Sequence, residues 1–143
     1  MKKISIKIKN VANKIKALVC PPATQDVQLN TVNRNKTRKN HMYGPLNIKE
    51  PGDYWKKLAA KWDTTEKAAR KSTCSVCVAF DISPRMDDCM PGPVSDESGR
   101  LGYCWMHHFK CHSARSCDTW ATGGPIAKDS VSAKWQGDKF GKK

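Results

Sequence analysis

Cys74-Ser-Val-Cys77-Val-Ala-Phe80, answered downstream by Cys89-Met-Pro91-Gly92 and by Gly102-Tyr103-Cys104, is the stretch that decides how this chain folds. Two thiols separated by two residues can turn toward one ion or one cluster, which is why this spacing recurs as a metal half-site. Six of the 7 cysteines lie between Cys74 and Cys117, and Cys20 stands alone. Around them Gly and Pro recur, at Pro84, Pro91-Gly92-Pro93, Gly99, Gly102 and Gly123-Gly124-Pro125, so turns should dominate beyond Thr73. Only 38% of the 143 residues are hydrophobic. A loop-rich domain with so thin an apolar supply usually needs disulfides or a metal centre to stay folded.

Outward from the cysteines, the sequence divides by charge. Residues 1–49 carry eleven basic side chains and one acid, whereas residues 50–143 carry fifteen and twelve, so the net +13 sits mostly in the first third. Residues 1–20 read as a basic amphipathic helix, with Ile4, Ile8, Val11, Ile15 and Leu18 on one face and Pro21-Pro22 ending the pattern. Lysines at positions 7, 9, 14 and 16 interrupt what an export signal would keep apolar. No apolar run approaches a membrane span. A cytoplasmic location, or one inside an assembled particle, follows from that reading. Residues 21–50, rich in Asn and Thr and holding Arg34, Lys36, Arg38 and Lys39, read as an extended basic linker. Residues 1–49 are thereby suited to non-specific contact with nucleic-acid phosphates, or to tethering in a protein assembly.

Residues 51–125 form the cysteine-rich domain. Asp53 can open a short helix through Tyr54, Leu58 and Trp62, and Asp63 to Glu66 offers a capping box for a second, Lys67 to about Ser72. Residues 126–143 read as a polar, Lys-rich tail carrying Trp135 and Phe140. The fold class expected is a small, mostly irregular, metal-stapled α+β domain of short helices and turns, preceded by an extended basic arm.

Three uses of the cysteines compete. Six clustered cysteines could pair as disulfides, which needs an oxidising compartment. They could hold zinc, with Cys74 and Cys77 as one half-site and Cys104 with His107 or His108, or Cys111 with Cys117, as the other; His112 and its neighbours read more simply as surface residues. Or four thiolates could hold an iron–sulfur cluster, with Val76, Val78, Phe80, Met86, Tyr103, Trp105 and Phe109 walling it from water.

The run Glu66-Lys67-Ala68-Ala69-Arg70-Lys71 leading into Cys74, Cys77 and Phe80, with the Pro-Gly loop after Cys89 closing in Gly102-Tyr103-Cys104, resembles the high-potential iron–sulfur proteins. The resemblance covers about residues 63–110. It implies one [4Fe-4S] cluster on Cys74, Cys77, Cys89 and Cys104, wall positions at Phe80 and Tyr103, and a one-electron carrier docking a redox partner. A second register uses Cys74, Cys77, Cys104 and Cys117, because the family's Cys-x-x-aromatic ending occurs here as Cys117-Asp-Thr-Trp120. The first register is the one adopted, since it also places Pro91-Gly92. Cys111 and Cys117 are then left to form a disulfide or a second metal site, and Cys20 to remain an unpaired thiol. The rival function is a metal- or disulfide-stapled structural protein of a virion or nucleoprotein particle, or a zinc-binding module associated with nucleic acid. No catalytic constellation can be assembled, so an enzyme is not expected; Asp87-Asp88 and Asp96-Glu97 read as solvated turn charges.

Overall fold

The computed structural model describes residues 20–137. The amphipathic helix read over residues 1–20 therefore lies outside the described residues except for Cys20, as does Phe140. What is described is a small α+β domain with short helices around a small antiparallel sheet.

The segment expected as an extended linker is instead helical. After a short α1 (Pro22–Gln25), α2 runs Val27–His41. The Asp26 side chain caps α2 by accepting from Leu29 N, and Met42, at φ 58°, closes it. Arg38, Lys39 and His41 in the last turn suit the negative end of the helix dipole. The Asn residues that signalled a loop are spent on the domain: Asn33 Nδ2 donates to His108 O at 2.7 Å, and Asn30 Oδ1 accepts from Lys110 N at 2.7 Å. These polar side chains satisfy backbone groups that the sheet leaves open, so a polar helix docks without an apolar stripe. That contact is invisible to a hydrophobic-periodicity reading.

Two short helices follow, α3 (Tyr54–Trp62) and α4 (Glu66–Lys71), enclosing a small core of Trp55, Leu58, Ala59 and Ala69. The cap of α4 is Thr65, whose hydroxyl accepts from Ala68 N at 3.0 Å, while Asp63 sits at φ 56° and ends α3. After a 3₁₀ turn (Cys74–Val76), the sheet is built on β3 (Gly99–Cys104). β1 (Phe80–Asp81) pairs with the end of β3, Phe80 opposite Cys104, and β2 (Ser95–Asp96) pairs with its start. β4 (Phe109–His112) lies antiparallel along β3, with Gly102 opposite Cys111 and Cys104 opposite Phe109. The cysteine region is thus more regular than its glycines and prolines predict. Gly102 shows why glycine is needed here: a Cβ would stand 2.6 Å from the Phe80 ring.

Asp87 and Asp96 are not simply solvated. Arg100 pairs with Asp87, and His112 Nε2 lies 3.1 Å from Asp96 Oδ2, tying α5 (Pro84–Cys89) and β2 to the hairpin. Nor do residues 126–137 form a free tail. Ile126 is buried, and α6 (Asp129–Gln136) packs on α5 through Arg85, which donates to Ser132 Oγ at 2.6 Å and to Gln136 Oε1 at 2.7 Å. Beneath them Asp81, fully buried, accepts from Trp105 Nε1 at 2.9 Å and from Ser132 Oγ at 2.5 Å. One buried carboxylate thus joins β1, the largest buried side chain and the last helix.

Replacing Asp81 by Ala removes the acceptor that the Trp105 indole N–H and the Ser132 hydroxyl share. The expected cost is roughly 3 kcal/mol, read as a lower urea midpoint for Asp81→Ala than for Asp81→Asn, which keeps an acceptor oxygen. Equal midpoints for the two variants would contradict the role assigned to this carboxylate.

Candidate metal centre

Cys74, Cys77, Cys104, Cys111 and Cys117 are all buried and all free. Three pieces of chain bring them together. The 3₁₀ turn is pinned by Cys74 N donating to Arg115 O at 2.7 Å and Ser75 N to Ser113 O at 3.1 Å. Cys77 bridges to Thr122, and Val78 N donates to Ala121 O at 2.8 Å. Cys104 ends β3, Cys111 sits in β4, and Cys117 follows Ser116, whose backbone bridges to Gly44. A cysteine with two spacers, a hairpin and a returning loop therefore face one interior.

The sulfurs interact with one another and with backbone N–H groups. Cys111 bonds to both Cys104 and Cys74. That bond from Cys111, helped by the N–H groups of His107 and Met106 and opposed by burial, holds Cys104 below the usual thiol range. Burial and the same two sulfurs push Cys111 well up. Burial raises Cys77 although its sulfur accepts from the Ala121 and Ala79 N–H groups, and the neighbouring Cys74 and Cys104 raise it further. Cys117 is pushed up by burial to about 12, against hydrogen bonds from the Thr119 hydroxyl and N–H. The His107 N–H stands 3.4 Å from Cys104 Sγ, and Thr119 Oγ1 is 3.2 Å from Cys117 Sγ. Cys77, Cys104 and Cys117 are thus each provided with N–H donors from the main chain, the arrangement that stabilises a thiolate.

Cys89 is elsewhere. It forms a disulfide with Cys20, so its sulfur is not available as a thiolate ligand and Cys20 is not an unpaired thiol. The ligand set Cys74, Cys77, Cys89 and Cys104 is corrected on that ground. The physical reason is that α5 carries Cys89 toward the segment preceding α1, where Gln25 Nε2 also donates to Cys89 O at 2.6 Å. Nor do Cys111 and Cys117 pair with each other. Of the histidines weighed as zinc ligands, His107 Nε2 lies 2.7 Å from Thr119 Oγ1 and His108 Nδ1 3.4 Å from the Tyr103 hydroxyl, while His112, read as a surface residue, is buried and faces Asp96. Among the described residues no three His, Cys, Asp or Glu side chains come together to hold a single metal ion.

Phe80 and Tyr103 are buried as expected of wall residues. Tyr103 packs edge-on to Trp105, ring centroids 4.9 Å apart, and burial together with the nearby Cys104 and Cys111 raises its hydroxyl pKa. Two further walls come from the segment read as linker and from α3. Tyr43 is raised by burial and by Cys111 and Cys74; Tyr54 by burial and by Cys117 and Cys74. The Tyr43 hydroxyl accepts from His112 N at 2.9 Å, and that of Tyr54 reaches Met42 O at 2.8 Å and Ser116 O at 3.0 Å. Neither tyrosine carries a motif; only their long-range contacts mark them.

No protein-family description, curated protein or solved structure matches the chain. Among the described residues no helix is long and apolar enough to cross a membrane.

Gly124 closes the loop against the site, since a Cβ there would stand 1.7 Å from the Cys77 carbonyl oxygen. Gly124→Ala must therefore displace Cys77, and its thiol should react with a maleimide several-fold faster than in the native chain, with Gly137→Ala, which meets open space, as the unaffected control. Non-reducing peptide mapping of the native chain should recover Cys20 linked to Cys89 and the other five cysteines unlinked.

Proposed function

We propose that this chain is a small iron–sulfur protein that carries one [4Fe-4S] cluster on Cys74, Cys77, Cys104 and Cys117 and serves as a one-electron carrier. One observation carries the reading: three of these four sulfurs lie in a buried interior beside Cys74, each already supplied with main-chain N–H donors. A cubane takes one thiolate at each of four corners, and Cys74, Cys77, Cys104 and Cys117 offer four thiols from buried positions. This is the second of the two registers legible in the sequence, with Cys117-Asp-Thr-Trp120 in place of Cys89.

When bound, the cluster supplies a one-electron couple and no bond chemistry. The chain's own residues do the rest. Tyr43, Tyr54, Tyr103, Phe80 and Trp105 keep water from the interior, and the N–H groups of Ala79, Ala121, Met106, His107 and Thr119 hold negative charge on sulfur. Cys111 neighbours Cys104 and Cys74.

A structural role is favoured by a different observation. The Cys20–Cys89 disulfide closes a separation of 69 residues, which by loop entropy contributes about 4 kcal/mol. A stapled scaffold in a larger assembly needs no more than that.

Iron, acid-labile sulfide and the visible spectrum of anaerobically purified full-length protein separate the two. The carrier reading expects about four irons and four sulfides per chain, a broad brown absorption, and reversible one-electron reduction. Cys117→Ser should abolish the cluster and Cys89→Ser retain it. Colourless, iron-free protein, or a cluster that survives Cys117→Ser and is lost in Cys89→Ser, would overturn this assignment.

A further inference from the structure

The loop that follows α2 doubles back on the domain and leaves an open groove beside the last turn of that helix. Met42, at φ 58°, turns the chain. Gly44 then bonds Ser116 in both directions, its N–H donating to Ser116 O at 3.1 Å and its carbonyl accepting from Ser116 N at 2.7 Å. The Tyr54 hydroxyl ties Met42 O to Ser116 O, and Arg115 Nη1 donates to Pro45 O. The Tyr54 ring packs directly on Gly44, where a Cβ would stand 3.1 Å from it. The groove is therefore fixed by contacts from three separate parts of the chain before any ligand arrives.

It encloses about 460 Å³, a size usual for small-ligand sites. Its walls differ in chemistry. α2 contributes Asn35, Arg38 and Lys39, whereas the loop and α3 contribute Met42, Pro45, Leu46 and Tyr54. Arg38 Nη1 donates to Asn35 Oδ1 at 3.3 Å, which steadies the guanidinium over the opening. Among the described residues no Asp or Glu lines the groove, and α2 has none in its 15 residues. Leu46, a large aliphatic, is left 58% exposed. One turn before Arg38 stands Arg34, about 5.4 Å along the helix and on the same face, so the cations continue away from the opening.

We infer that this groove binds single-stranded nucleic acid, seating one base against Leu46, Pro45 and Tyr54 while Arg38 and Lys39 hold the flanking phosphates. A nucleotide carries both of the features that the walls complement, a flat base and an adjacent charged phosphate. An acidic side chain brings charge without the flat body and leaves Leu46 uncovered. A duplex keeps its bases stacked inside and offers phosphates alone. The preference is thus for unpaired strands, and it tolerates any sequence because every base has such a face. This goes beyond the phosphate contact that the charge of residues 1–49 suggests. It uses none of the sulfurs and stands apart from the cluster reading.

Fluorescein-labelled oligo(dT) and oligo(U) of about ten nucleotides, titrated with the full chain at low salt and followed by anisotropy, test the assignment. Both should bind more tightly than a duplex of the same length, and the tighter of the two identifies the natural strand as DNA or RNA. Amide shifts of the isotope-labelled chain should centre on residues 38–46 and 54. Arg38→Gln/Lys39→Gln should weaken binding about tenfold and flatten the slope of log affinity against log salt by about 1.4, the loss of two single-strand phosphate contacts. Lys67→Gln/Lys71→Gln, which removes the same charge from α4, should leave the shifts and the slope as in the native chain. Leu46→Ala, at an exposed position, should weaken the single strand several-fold with an unchanged salt slope and leave duplex binding as it was. Shifts centred elsewhere or spread evenly overturn the groove as the site. Equal affinity for duplex and single strand, or native affinity in Leu46→Ala, overturns the seated base. Polyglutamate taking the same residues more tightly than oligo(dT) overturns nucleic acid in favour of an acidic protein.

Discussion

The arrangement depends on one short piece of backbone held from two sides. Residues 74–80 donate hydrogen bonds to the loop after β4 at Arg115 O and Ser113 O and to the returning loop at Ala121 O, bridge to Thr122, and enter the sheet where β1 pairs with β3. Each of these bonds is individually worth about 1 kcal/mol. Together they fix a segment that has no regular structure of its own beyond a single 3₁₀ turn. Because the hairpin and both loops all end on it, five cysteines from distant positions share one interior. Gly124 and Gly102 exist for the same reason: the chain passes too close to Cys77 and Phe80 for any side chain.

Parts of this were legible in the residues. The short helices at 54–62 and 66–71 follow from their apolar spacing, although Asp53 makes no side-chain cap bond and Thr65, not Asp63, caps the second; the crowding of Cys74, Cys77 and Cys104 follows from spacing and from a thin supply of aliphatics. The small α+β class follows from the same features. Other parts were not. α2 has a mean composition too polar to announce a buried face, and it docks through Asn30 and Asn33, whose partners are backbone atoms 80 and 75 positions away. Cys89 sits beside Pro-Gly in a run that fits a known pattern, yet its pairing is settled by where α5 points, which no spacing encodes. Tyr43 and Tyr54 lie in ordinary surroundings along the sequence and acquire meaning only when Ser116 and His112 come back to meet them.

The polar interior follows one rule. Among the described residues every buried side-chain nitrogen or oxygen finds a partner. Asp81 is the most demanding case: the Trp105 indole, the Ser132 hydroxyl and the Ser83 backbone N–H all donate to its side chain. The sulfurs follow the same logic less completely. N–H groups converge on Cys77, Cys104 and Cys117, while burial still works against ionisation at Cys77 and Cys117. That residual opposition is the kind a bound cation would remove, because a metal at the sulfur replaces the proton.

The sulfur bridge between Cys20 and Cys89 also sets how the molecule bears load. A pull on the chain ahead of Cys20 does not travel first through α1 and α2; it crosses the covalent link into α5 and so into the Arg85 and Asp87 contacts beneath it. The long basic helix is thereby shielded from tension, and its seat on β4 is preserved while the anchor is strained. Under reducing conditions that shunt disappears, and the same pull would peel α1 and then α2 from the sheet, beginning at Gln25 and Asn30.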